Sequence, residues 1–165
     1  MRLVTCCYIL SGVLSLAMSG DVIGAQAPVG IFDAQTDVGH VRTPGSAAYD
    51  PQVQSYVIES SGRNMWNDHD DFHFVWKRMS GNFILSTRAR FLGGGVEAHR
   101  KIGWTIRPSL DSNSAHVTAA LHGDGLASLQ FRRTAGATTE ETKSRDVLPS
   151  SPFTVVQLER RDGVY

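Results

Sequence analysis

Cysteine is scarce in this chain, and both cysteines lie near its beginning. The 165 residues contain only Cys6 and Cys7, which excludes a disulfide framework for everything that follows. Charge of one sign is missing as well, because 16 Lys and Arg residues balance 16 Asp and Glu residues. The sequence therefore lacks the basic footprint of a domain that binds nucleic acid or an anionic membrane.

A long, uninterrupted apolar run is also absent. The run that begins at Leu3 is broken by Ser11, Gly12, Ser15 and Ser19, whereas a membrane-spanning helix needs about 20 predominantly apolar residues. Arg2 precedes the run and small residues end it at Ala25-Gln26-Ala27, an order typical of a secretory signal peptide. We predict that residues 1–27 are a signal peptide. The mature part, residues 28–165, is then a periplasmic or extracellular domain without a cysteine or a membrane span.

Paired carboxylates are the last notable absence. Hydrolysis of a glycoside needs two carboxylates on either side of the scissile bond, about 5 to 9.5 Å apart. Glu59, Glu97 and Glu159 each stand alone in the segments predicted as strands or turns. The sequence therefore favours a domain that is not a hydrolase, and it implies no cofactor.

Short alternating segments make up most of what is present. Residues 83–91 and 101–107 place apolar side chains at every second position, as a half-buried strand does and a helix does not. Similar patterns predict strands at residues 55–59, 72–78, 116–122, 126–132 and 153–159, with a possible first strand at 30–33. Residues 135–152 are polar and predict a long loop. Such spacing predicts an all-β fold, an antiparallel two-sheet sandwich.

The stretch at residues 66–76, WNDHDDFHFVW, has the densest chemistry in the chain. From Phe72 onward, alternation places Phe72, Phe74 and Trp76 on one face, expected to be core together with Trp104. His73 falls on the other face, expected to be open. His69, Asp71 and His73 would suit a metal ion if the strand began early. This makes a metal-dependent enzyme one alternative, although residues 68–71 read as a corner that Asp71 braces.

A polar surface assembled across strands is the main candidate binding site. If neighbouring strands align, one sheet presents donors and acceptors that suit sugar hydroxyls or an acidic polymer, with Trp66 at the edge as an aromatic platform. An ordinary solvated face predicts the same pattern. The candidate residues are His73, Arg88, Arg90, Lys101, Arg107, His116, His122, Gln130 and Arg132, with Trp66.

Four segments resemble a group of small secreted bacterial domains in the concanavalin A-like (lectin and glucanase) jelly-roll superfamily. They are DDFHFVWK at 70–77, HRKIGW at 99–104, HVTAALHGDG at 116–125 and VQLER at 156–160. The resemblance covers roughly residues 30–165. It implies a jelly-roll sandwich and carbohydrate binding, and such domains often stand before a Tol-type β-propeller in a longer chain.

Members of that group continue with further strands after the position of Tyr165, so the resemblance predicts a sandwich truncated at its C-terminus. The resulting hypothesis is an exported, non-catalytic module that binds a glycan or a cell-envelope polymer. A structural domain that positions a β-propeller is the first alternative, and the metal-dependent enzyme is the second.

Overall fold

The computed structural model describes residues 2–6, 27–95, 97–143 and 153–165, and this part of the chain folds into antiparallel strands without a helix. The predicted all-β class is therefore confirmed. It follows that no described helix is long and apolar enough to cross a membrane. The strands are β1 (Arg2–Cys6), β2 (Ala34–Val38), β3 (Ser46–Asp50), β4 (Ser55–Glu59), β5 (Met65–Trp66), β6 (His69–Asp70), β7 (Phe72–Met79), β8 (Phe83–Ala89), β9 (Lys101–Arg107), β10 (His116–His122), β11 (Ala127–Arg132), β12 (Glu140–Lys143) and β13 (Thr154–Arg160).

One large sheet and one small sheet form the two layers of the molecule. The large sheet has the strand order β12-β11-β10-β9-β1-β7-β2, and β8 pairs with β13 in the small sheet. Two hairpins, β3–β4 and β5–β6, complete the described part. Strand β1 lies within the predicted signal peptide, and residues 7–26, the greater part of that prediction, lie outside the described residues.

The main core lies between the two layers. Apolar side chains of β7 and β9 meet those of β8 and β13 there, because alternation turns one face of each strand inward. The Trp104 Nε1 donates a hydrogen bond to the Val156 carbonyl at 3.2 Å and links the layers directly. Buried members of this core include Val75, Leu85, Ile102, Trp104, Ile106, Val156 and Leu158. The arrangement is that of a β-sandwich.

A second apolar cluster occupies the opposite face of the large sheet. Phe72 and Phe74 pack there with Val38 and Met65, and Trp76 covers them in part. The prediction that Phe72, Phe74 and Trp104 are core residues is therefore confirmed, but the two phenylalanines lie in a different cluster from Trp104, and Trp76 is only partly buried. The other face of β7, which was expected to be open, carries Val75, and this residue is fully buried in the main core. Strand β7 is buried on both faces, which alternation alone does not predict.

Residues 60–71, here called the strap, cover this second face. The strap carries the β5–β6 hairpin, with Met65 and Asp70 buried beneath it. At Gly62 the strap passes so close to the start of β7 that a Cβ atom would lie 1.8 Å from the carbonyl oxygen of Asp71, the residue before β7, and 2.7 Å from the backbone nitrogen of Phe72. Only glycine permits that approach. The strap explains why a face that reads as solvated is buried.

Three further elements differ from the prediction. Residues 30–33 form a turn closed by a Val29–Phe32 bridge, and the strand begins only at Ala34. Strand β3 lies in a segment for which the sequence predicted no strand. Strand β12 lies within the predicted loop and pairs with β11. Strands β2, β3 and β12 are short or mostly polar, so they form because they pair with neighbouring strands and not because of an apolar pattern.

Candidate functional site

Six of the predicted site residues share one face of the large sheet, beneath the strap. The register pairs His122 with Lys101 and His116 with Arg132, and Arg107 and Gln130 lie on the same face. Each of the six is buried, with 0–7% of its surface exposed. The structure therefore brings together Lys101, Arg107, His116, His122, Gln130 and Arg132, but it covers them.

Asp70 of the strap is the centre of this buried face. The Arg132 guanidinium donates from Nη2 to Asp70 Oδ1 at 2.8 Å and from Nη1 to Oδ2 at 3.0 Å. Arg107 Nη1 lies 3.3 Å from Asp70 Oδ2, and its guanidinium stacks 5.2 Å from the Phe72 ring centroid. Burial raises the pKa of Asp70, while the hydrogen bond from Arg132 opposes the rise. Two guanidinium groups thus hold one buried carboxylate and fix the strap to the sheet.

The two buried histidines are neutral at ordinary pH. Burial lowers the pKa of His116 to about 3, and the positive charges of Arg132 and Arg107 add to that effect. Burial also lowers the pKa of His122 to about 4, with Lys101 the next cause. The His116 Nδ1 lies 3.0 Å from the Thr118 hydroxyl. These groups stabilise the interior and are not poised to transfer protons to a ligand in solution.

His73 lies elsewhere, in the wall of a cavity of about 750 Å³ between β2, β3 and β7. Its Nδ1 is 2.8 Å from Asp37 Oδ1, and its Nε2 is 3.0 Å from Gln35 Oε1. Gln35 and Asp37 also accept backbone hydrogen bonds from Ala47 and Gly45. The polar groups of this wall therefore bind one another, which leaves few donors directed into the cavity.

The three residues of the metal alternative do not meet. The His69 ring pairs with Asp68 at 2.9 Å, whereas Asp71 accepts a hydrogen bond from the backbone of His40. His73 points to Asp37 instead. Among the described residues, no group of three or more His, Cys, Asp or Glu side chains is arranged to hold a metal ion.

Arg88 and Arg90 lie on the other sheet, on the outer face of β8 and just after it. Both are exposed, and their guanidinium carbons lie 5.2 and 5.0 Å from the ring centroid of Phe153. Neither forms an ion pair with a carboxylate of the described residues. Two cations over one partly exposed aromatic ring thus remain open to solvent.

The outer strip is the name we give to the exposed face that contains this group. The register places Ser86 beside Gln157 and Arg88 beside Val155, so basic, amide, hydroxyl and apolar groups follow one another along about 20 Å of two strands. Val155 and Ile84 are 63% and 58% exposed. The members are Ile84, Ser86, Arg88, Arg90, Phe153, Val155, Gln157 and Glu159. Phe153 and Val155 were missed because apolar residues of a predicted strand carry no chemical signal of ligand binding.

Trp66, the predicted aromatic platform, lies in the strap hairpin and is partly buried. It pairs with His69 in the β5–β6 ladder, on the large sheet and not on the small one. The predicted site is therefore divided into a buried face, a cavity wall, the strap and the outer strip. Of the predicted site residues, Arg88 and Arg90 in the outer strip are the ones that present charge to solvent.

No protein-family model matches the chain, and no curated protein or solved structure gives a match. The concanavalin A-like resemblance, the jelly-roll topology and the position before a β-propeller therefore stay predictions.

Proposed function

We propose that this protein is an exported, non-catalytic β-sandwich module that binds an acidic carbohydrate or a similar anionic polymer of the cell envelope through the outer strip. The observation that carries the proposal is the exposed pair Arg88 and Arg90 stacked over Phe153. Guanidinium groups bind carboxylates through paired hydrogen bonds. The part of the Phe153 ring that stays exposed beside them adds an apolar surface for the carbon face of a sugar.

The strip is also shaped for an extended ligand. Its polar side chains lie in register on two adjacent strands, so they form a row and not a closed pocket. A chain-like ligand with repeated hydroxyl and carboxylate groups would meet side-chain donors at Arg90, Arg88, Ser86 and Gln157, whereas the far end of the row carries Ile84 and the Glu159 carboxylate. A small ligand would contact only one end of it. The proposal also includes the jelly-roll fold and export, for which the sequence provides the support.

Titration with polygalacturonate tests this function, with the fully methyl-esterified polymer as the neutral comparison. We expect binding of the acidic polymer, weakened by added salt because the charges are exposed. The double variant Arg88→Ala/Arg90→Ala should bind at least about tenfold more weakly, since hydrogen bonds to charged groups contribute about 1.5–3 kcal/mol each. Its melting temperature should equal that of the unmodified chain.

The matched control is Arg133→Ala/Lys143→Ala, which removes the same charge from exposed positions on the large sheet. This control should bind like the unmodified chain. An equal loss of affinity in both double variants would mean that binding depends on the net charge of the protein and not on the position of Arg88 and Arg90. Absence of binding to the acidic polymer by the unmodified chain would reject the proposal.

A further inference from the structure

Arg88 and Arg90 hold two like charges at a short separation on the outer strip. Their guanidinium carbons lie 5.2 and 5.0 Å from the same point, the ring centroid of Phe153. The sum of these two distances sets an upper limit of about 10 Å on the separation of the two charges. Their backbone positions are two residues apart on one face, or about 7 Å. We call these two residues the arginine pair.

The charges of the arginine pair are not balanced by an acidic neighbour. Neither arginine takes part in an ion pair with a carboxylate of the described residues. The two charges repel each other, because their separation does not exceed the Debye length of about 10 Å at 0.1 M salt. One carboxylate on a ligand balances only one of these charges. Two carboxylates with a similar spacing balance both, so the geometry favours a ligand with paired acidic groups.

The remainder of the outer strip offers no further unbalanced positive charge among the described residues. Ser86 lies beside Gln157, one level along the strands from Arg88, and both of these uncharged side chains are exposed. At the far end, Glu159 pairs with Arg161 at 2.7 Å, so their two charges balance. A sugar residue beside the arginine pair can therefore exchange hydrogen bonds with a hydroxyl and an amide, but it needs no carboxylate.

We propose that the outer strip selects two closely spaced carboxylates, as on neighbouring residues of an acidic polysaccharide, followed by a residue that needs no charge. This selectivity rests on the proposed function, because it concerns the same surface. Each guanidinium binds one carboxylate, and the first contact holds the second carboxylate close to the other guanidinium. The second contact then forms within one complex and strengthens binding. Carboxylates far apart on a chain engage one arginine at a time and bind more weakly.

Two isomers of hexagalacturonate, each with four methyl esters, separate the effect of charge spacing from that of total charge. One isomer has its two free carboxylates on adjacent residues, and the other has them on the two terminal residues. The unmodified chain should bind the adjacent isomer at least about tenfold more tightly, because both arginines then contribute. Arg88→Ala and Arg90→Ala should each abolish this preference, since one guanidinium cannot bind both carboxylates. Both residues are exposed, so neither variant should change the melting temperature.

Phe153→Leu is a variant of unchanged net charge, which keeps both arginines but removes the ring that holds them close together. It should reduce the preference for the adjacent isomer by about twofold to fivefold, whereas the control Arg133→Ala/Lys143→Ala should retain the preference in full. Equal binding of the two isomers would overturn the selectivity and leave the proposed function intact. Binding of polygalacturonate but of neither isomer would also overturn it. Failure to bind any of the three ligands would reject the proposed function itself.

Discussion

His116 and His122 show most clearly how individual residues of this protein are used. Both occur on a strand whose polar residues alternate with apolar ones, a pattern that predicts a solvated face. Both are nevertheless buried, 3% exposed each. Their pKa values are lowered by burial, to about 3 and about 4. The sequence predicted their common face but not its environment, because the covering strap comes from a segment more than 40 residues earlier.

Acid should destabilise the protein through these two histidines. The unfolded chain takes up their protons as the pH falls below about 6.5, whereas the folded chain keeps both rings neutral down to pH about 4. The free energy of unfolding should therefore fall by about 1.4 kcal/mol per pH unit for each histidine in this window. Urea unfolding at pH 7 and pH 5 measures the effect.

The variant His116→Gln/His122→Gln should lose less stability between these two pH values than the unmodified chain. His69→Gln is the control, because His69 lies in solvent beside Asp68 and should leave most of the acid sensitivity in place. The same pH dependence in the double variant and in the unmodified chain would show that these two histidines do not cause the acid sensitivity.

The strands themselves were largely predictable, and the exceptions have a common cause. Strands β9 and β10 match their predicted ranges, since each alternates over seven residues. Strand β12 was missed because Glu140-Glu141-Thr142-Lys143 contains no apolar residue and forms only by pairing at the edge of the sheet. Contacts between segments far apart in sequence also bury β7 on both faces. Alternation within one segment predicts neither the pairing of β12 nor the burial of both faces of β7.

The strap should depend on the Asp70–Arg132 pair for its attachment. Arg132→Ala leaves a fully buried carboxylate beside Arg107 and the neutral His116 ring, whose Nε2 lies 3.8 Å from Asp70 Oδ1. Breaking such a pair costs about 3–5 kcal/mol, so the free energy of unfolding should fall by about that amount in urea titrations. Arg107 was predicted to bind ligand, but its burial means that Arg107→Ala should also lower stability.

Arg133→Ala is the matched control for the strap. Arg133 follows Arg132 directly and forms an exposed 2.8 Å ion pair with Glu140, and such pairs contribute at most about 1 kcal/mol. Similar losses of stability for Arg132→Ala and Arg133→Ala would show that the buried carboxylate does not hold the strap.

At the scale of the whole molecule, the two sheets have different surfaces. The large sheet carries most of the polar residues that the sequence singled out, and the strap covers the face on which most of them lie. The small sheet leaves Arg88 and Arg90 in solvent, although both strands beneath them contribute to the main core. Arginines of the large sheet thus stabilise the fold, whereas those of the small sheet are available for binding. Both sets lie at alternate positions of strands, so the alternation in the sequence does not distinguish them.

The most direct test of the account is to locate the acidic polymer on the folded chain. Chemical-shift mapping of the isotopically labelled protein with short galacturonate oligomers would show which backbone amides respond. Binding through the outer strip predicts that the largest shifts fall in β8 and β13, centred on Arg88, Val155 and Gln157. Shifts confined to the His73 cavity or to the large sheet would contradict the account.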